Sequence, residues 1–132
     1  MIKSGYRFAL LAAAGLLATA LPAFAHHSVT AEFNPDKEIV ITGLLTKFEW
    51  TNPHTYYFVD VKDKDGKITT YSFESGPPSV LHRAGFRQED VKIGDTVTVT
   101  AIPAKDGTKS LGWLKMIKYS DGHVFVYRNG SE

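Results

Sequence analysis

Residues 68–102 read ITTYSFESGPPSVLHRAGFRQEDVKIGDTVTVTAI, and they decide the fold class. Residues 68–74 alternate as a strand does, with Tyr71 and Phe73 on one face. Gly76-Pro77-Pro78 breaks that strand, and a proline at a first helical position predicts one or two helical turns over residues 79–84, ended by Gly85. Residues 91–95 then lead into residues 96–102, where Val97, Val99 and Ala101 alternate with threonines. That pattern fits a half-buried strand. A single short helix is thus set between two strands.

Upstream, residues 39–50 make a long first strand. Ile39, Ile41, Gly43 and Leu45 share one face, while Val40, Leu44, Phe48 and Trp50 share the other, so the period predicts cover on both sides. Tyr57, Val59 and Val61 alternate with Tyr56, Phe58 and Asp60 in a second strand, and Asp63-Lys64-Asp65-Gly66 supplies a hairpin turn. Downstream, Lys105-Asp106-Gly107 turns into a fifth strand at residues 111–119, and Asp121-Gly122 into a sixth at residues 124–127. The order predicts an all-β chain with one short helix, closed as a five- to six-stranded barrel on the oligonucleotide/oligosaccharide-binding (OB) plan. A β-sandwich competes, but it prefers more strands and no helix. The barrel domain is expected over residues 38–132. Residues 26–37 show no sustained period, contain Asn34-Pro35, and read as an extended arm.

The N-terminus is physically different. Lys3 and Arg7 form a basic head, residues 8–21 an apolar run, and Pro22 precedes Ala23-Phe24-Ala25. This layout predicts a signal peptide over residues 1–25 and a periplasmic or secreted chain beginning at His26. A membrane anchor would need about 20 apolar residues, more than this run supplies. No later segment is apolar enough to span a bilayer. Removing residues 1–25 of 132 leaves 107, enough for one core. Lys3 and Arg7 leave with them, so 13 of the 15 Lys and Arg remain against all 14 Asp and Glu. Such a neutral chain carries no electrostatic footprint for nucleic acid or anionic membrane. Having no cysteine excludes disulfides, thiolate metal sites and thiol catalysis. No Gly-rich phosphate loop, GxSxG elbow or HExxH pair points to an enzyme.

Four pieces carry a resemblance: His26-His27-Ser28 with Ala31-Glu32-Phe33; Glu49-Trp50-Thr51-Asn52-Pro53-His54; Phe73-Glu74-Ser75-Gly76-Pro77 with Leu81, Arg83 and Gly85; and Gly94-Asp95-Thr96-Val97-Thr98-Val99. Together, from His26 to about Asp121, they resemble a family of small exported Gram-negative proteins known only as a domain of unknown function. The resemblance implies export and a small OB-like β fold, and it transfers no catalytic residue. The chain departs from the family's small, polar run at residues 111–116, where Leu111-Gly112-Trp113-Leu114-Lys115-Met116 is more apolar, so the fifth strand's outer face is expected to differ.

Cleavage before His26 would place an α-amine and an imidazole on one residue. With pKa values of about 8 and about 6.5, both lose protons at little cost near neutrality. His27 adds a second imidazole, and nitrogen donors of this kind suit Cu(II), or else zinc. An N-terminal His chelating through amine and ring is similar to the histidine brace of copper-dependent polysaccharide monooxygenases, a likeness of one residue and not of fold. His54, after Asn52-Pro53, is expected at a rim turn. If the arm folds back, His26, His27 and His54 form a three-histidine metal site, with Glu32, Glu49 and Glu74 as carboxylates orienting the rings. The plainer alternatives are a loose terminus, a turn histidine and solvated acids. His82 and His123 read as surface residues. Phe48, Trp50, Tyr56 and Phe58 are expected on one side of the first hairpin, where Trp50, Tyr56 and Phe58 would bind a saccharide or a protein partner, unless they pack as core.

Overall fold

The computed structural model describes residues 28–127. Six strands follow one another: β1 (Ile39–Glu49), β2 (Thr55–Lys62), β3 (Ile68–Ser75), β4 (Thr96–Pro103), β5 (Leu111–Lys118) and β6 (Val124–Val126). Between β3 and β4 stand a short helix, Pro78–Arg83, and a 3-10 turn, Gln88–Asp90. The long β1 pairs antiparallel with β2 through residues 44–49 and with β4 through residues 39–44. Antiparallel β4–β5 and β2–β3 pairs extend the sheet, and a parallel β3–β5 ladder, Ser72 opposite Leu111, closes it. The result is a five-stranded barrel with β6 added beside the second half of β5. The expected OB-like architecture holds, its helix between the third and fourth strands.

Alternation identifies the interior. Val97, Val99 and Ala101 of β4 are fully buried, as are Leu45, Tyr57, Val59, Phe73, Leu114 and Ile117. Thr42 and Thr98, on the outer face, are joined through their hydroxyls at 2.9 Å. The helix, entered through Pro77-Pro78, sends Leu81 into this interior, and Phe86 follows it. Gly43 lets β1 lie close against β2, because a Cβ there would meet the Asp60 carbonyl.

Two expectations fail at β1. Val40 and Leu44 are 62% and 44% exposed, so the strand's outer face is uncovered there. Nor do they share a face with Phe48. Leu45 pairs with Val59 and Lys47 with Phe58, leaving Thr46 as the extra residue of a bulge. One inserted residue exchanges the two faces, so Phe48 and Trp50 turn toward the interior side. The four hairpin aromatics are therefore divided. Phe48 lies 4.7 Å from Tyr57 and 6.5 Å from Phe86 between ring centroids, while Tyr56 and Phe58 project outward.

The arm is also not simply extended. Val29–Glu32 makes one helical turn, and Phe33, only 1% exposed, forms an isolated bridge with Ala104. The Asn34 N–H donates to the Pro103 carbonyl at 2.9 Å, and the Lys105 N–H donates to the Glu32 carbonyl at 2.8 Å. Thus the arm is docked on the β4–β5 turn. Residues 1–27, with the expected signal peptide and both His26 and His27, lie outside the described residues. Within them, no helix is long and apolar enough to cross a membrane.

Candidate functional site

Cross-strand register places Glu49, Tyr56, Glu74 and Trp113 on one outward row, running from β1 through β2 and β3 to β5. Their neighbours on β2, β3 and β5, among them Tyr57, Phe73 and Leu114, point into the barrel. An outward tryptophan is ordinarily wet, yet Trp113 is 4% exposed. Phe33 covers it at 5.7 Å, Tyr127 meets it edge-on at 5.8 Å, and the ring of His54 stands perpendicular to it at 5.6 Å.

His54 reaches this corner from the loop between β1 and β2. The Asn52–Pro53 peptide is cis. The Thr51 hydroxyl donates to the His54 carbonyl at 2.9 Å, which closes the loop. Just beyond, the buried hydroxyls of Thr55 and Ser75 meet at 2.6 Å and tie the start of β2 to the end of β3. These ties bring His54 Nδ1 against Glu74 Oε1. Gly76 completes the seam: a Cβ there would overlap the Tyr127 hydroxyl, which is hydrogen-bonded to its backbone.

Burial pushes the Glu74 carboxyl above its ordinary range, and the His54 imidazole pulls the other way. Glu32 adds to the upward push. The Tyr56 hydroxyl is likewise raised, by burial first and then by Glu74, Glu32 and Glu49 in turn. The three carboxylates that the sequence singles out thus share one electrostatic neighbourhood around Tyr56. A neutral imidazole whose Nδ1–H goes to a carboxylate carries its lone pair on Nε2. Trp113 and Glu74 together hold that ring in one orientation, which is how protein nitrogen donors for metals are prepared.

Of the residues expected at a site, His54 lies in this corner and Tyr56 on the same row. Phe58 stands one pleat along the outer face of β2, with the Lys47 ammonium 5.0 Å from its ring. Trp50 is elsewhere, against Phe48 and Phe86 at 5.7 and 6.4 Å. His82 and His123 are exposed, as expected. Phe33, Trp113 and Tyr127 were not foreseen as parts of the site. The apolar run at residues 111–116 was the available signal, but alternation does not reveal that an arm covers an outward ring. Among the described residues, no three His, Asp or Glu side chains are grouped to hold a metal ion.

A family model described as a family of unknown function (DUF6152) matches residues 13–126. No curated protein matches the chain. Among solved structures, the mitochondrial single-stranded DNA-binding protein Rim1 of S. cerevisiae is similar at 19% identity and a TM-score of 0.44, covering 73% of this chain and 98% of its own. At that TM-score the likeness bears on no ligand.

Proposed function

The chain belongs to the DUF6152 family, whose function is unknown, and we propose that it is an exported, periplasmic binding module holding copper or zinc through His26, His27 and His54. The observation that carries this reading is the fixed His54 imidazole, with Nδ1 on Glu74 and Trp113 against the ring. An arm docked beside it supports the reading too, because Phe33 touches the same tryptophan. Copper(II) heads the divalent affinity order for nitrogen donors, and three histidines also suit zinc. The protein acts here as a binder rather than an enzyme, and its near-neutral charge argues against nucleic acid as the partner.

The test is calorimetric titration of Cu(II) into protein that begins at His26. The same protein with one residue added before His26 should bind much more weakly, because the amine is then an amide. His54→Ala should weaken binding as well. Affinity should fall below about pH 6, where protons compete for the imidazoles. Equal affinity with and without the extra residue would remove the amine from the site.

One observation favours a second, metal-free reading. Tyr56 and Phe58 lie on the same outer face of β2, with Glu49 and Lys47 opposite them on β1. Rings flanked by hydrogen-bonding groups suit a saccharide or a protein partner. Saturation of Tyr56→Ala and wild-type protein by the same oligosaccharide at the same concentration would reject it.

A further inference from the structure

We infer that the outer face of β1, β4, β5 and β6 is a self-association surface, and that it takes the same face of a second copy of this chain. Six large apolar side chains are exposed among the described residues, and four of them stand here: Val40 and Leu44 of β1, and Val124 and Val126 of β6. Register sets three of these four into two rows. One row runs Val40, Thr100, Met116 and Val126 across the four strands, and the next runs Thr42, Thr98, Lys118 and Val124. The hydroxyls of Thr42 and Thr98 are bonded to each other at 2.9 Å, which lowers the cost of covering them. Lys115, the extra residue of a bulge in β5, is joined to Glu38 across β4 and bounds the face on the arm's side. Lys118 is thus the one charge within the two rows.

The pattern is complementary to itself. Sheets pack face to face with their strands nearly aligned, and a two-fold contact makes every pairing twice. A two-fold axis along the strands, midway between β4 and β5, sets β1 over β6 of the second copy and β4 over its β5. Val40 then meets Val126 of the second copy, Thr100 meets Met116, and Thr42 meets Val124. Lys118 faces Thr98, whose hydroxyl can accept from the ammonium. At ordinary strand dimensions the face measures about 14 Å from β1 to β6 and about 13 Å from Val40 to Leu44. With side-chain breadth added, a pair buries about 700 Å², less than the roughly 1,200 Å² of a stable complex. Association is therefore weak, at about 0.1–1 mM.

The experiment is sedimentation velocity of protein beginning at His26, with a chelator present so that no metal bridges two copies. The weight-average mass should rise toward that of a dimer between about 0.1 and about 1 mM. Val40→Glu and Val126→Lys lie at exposed positions, so each should keep the wild-type Tm, yet stay monomeric throughout. Their equimolar mixture should associate again. In that pair the new acid of one chain lies over the new base of the other, and the second contact remains Val on Val. Lys118→Thr should associate more tightly than wild type, because it removes the like charges that the contact brings near. Ile68→Lys, an exposed position away from this face, should associate as wild type does. A wild type monomeric at every concentration would overturn the proposal, whether the face is bare or covered by residues 128–132. So would association indifferent to Val40→Glu and Val126→Lys, which would belong to another surface. Association lost in both variants and not recovered in their mixture would overturn the two-fold pairing.

Discussion

The barrel builds two aromatic clusters, and they differ in what they enclose. In the first, Phe86 joins Phe48, Trp50 and Phe125, with Phe125 only 4.3 Å from it. Tyr57 packs against them, 4.7 Å from Phe48 and 6.4 Å from Phe86, and with Leu81 they continue the apolar interior. The second, on the outer side, gathers Phe33, Tyr127 and His54 around Trp113, with Glu74 against His54. Here burial works against the carboxylate, raising its pKa. A cluster serving stability alone would have no use for a partly buried carboxylate, which costs free energy to desolvate. The contrast teaches that aromatic packing supplies stability in one place and seats a histidine beside a carboxylate in the other.

The largest expected effect tests which face is interior. Val99→Asp buries an unpaired charge, costs several kcal/mol, and should abolish cooperative unfolding in urea. Thr98→Asp, on the opposite face, should shift the midpoint far less. Similar losses at both positions would dissolve the distinction between inside and outside.

Next in size is the hydrocarbon cluster. Phe86→Ala should destabilise the protein by about 3–5 kcal/mol, as removal of a buried ring does, with little change in metal affinity. Glu74→Gln should do the reverse. On the metal reading it should lower affinity about 10–100-fold, as losing a carboxylate behind a ligating histidine does, while thermal unfolding moves little. If Phe86→Ala and Glu74→Gln altered stability and affinity in the same proportion, the two clusters would be one structure with one role.

The smallest effect concerns a hydroxyl inside the barrel. Tyr119 is 3% exposed, and its hydroxyl has no hydrogen-bond partner among the described residues. Tyr119→Phe should therefore be within about 1 kcal/mol of wild type at neutral pH, or more stable. Burial, aided by Asp90, Asp95 and Asp121, pushes this hydroxyl up to about 12 from its ordinary 10.0. The folded chain holds the proton more firmly than the unfolded one. Its contribution is then complete below about pH 10 and lost as pH rises through about 12. Urea unfolding at about pH 8 and about pH 11 should show the wild type declining more than Tyr119→Phe. Parallel declines would mean that Tyr119 ionises as freely in the fold as outside it.

Strand order, the helix between β3 and β4 and the parity of β4 were all legible in the sequence. Each follows from local rules: alternation with period two and turn residues with their own backbone preferences. Where Phe48 and Trp50 point was not legible, because one extra residue at Thr46 reverses parity and nothing in the residue itself announces it. Phe33 over Trp113 and Trp113 against His54 were equally hidden. Those contacts join residues 80 and 59 positions apart in the chain, and only closure of β3 onto β5 sets Glu74 beside Trp113. Local propensity determines what each segment becomes. Which outward face the arm covers, and so which histidine is held still, depends on the barrel having closed.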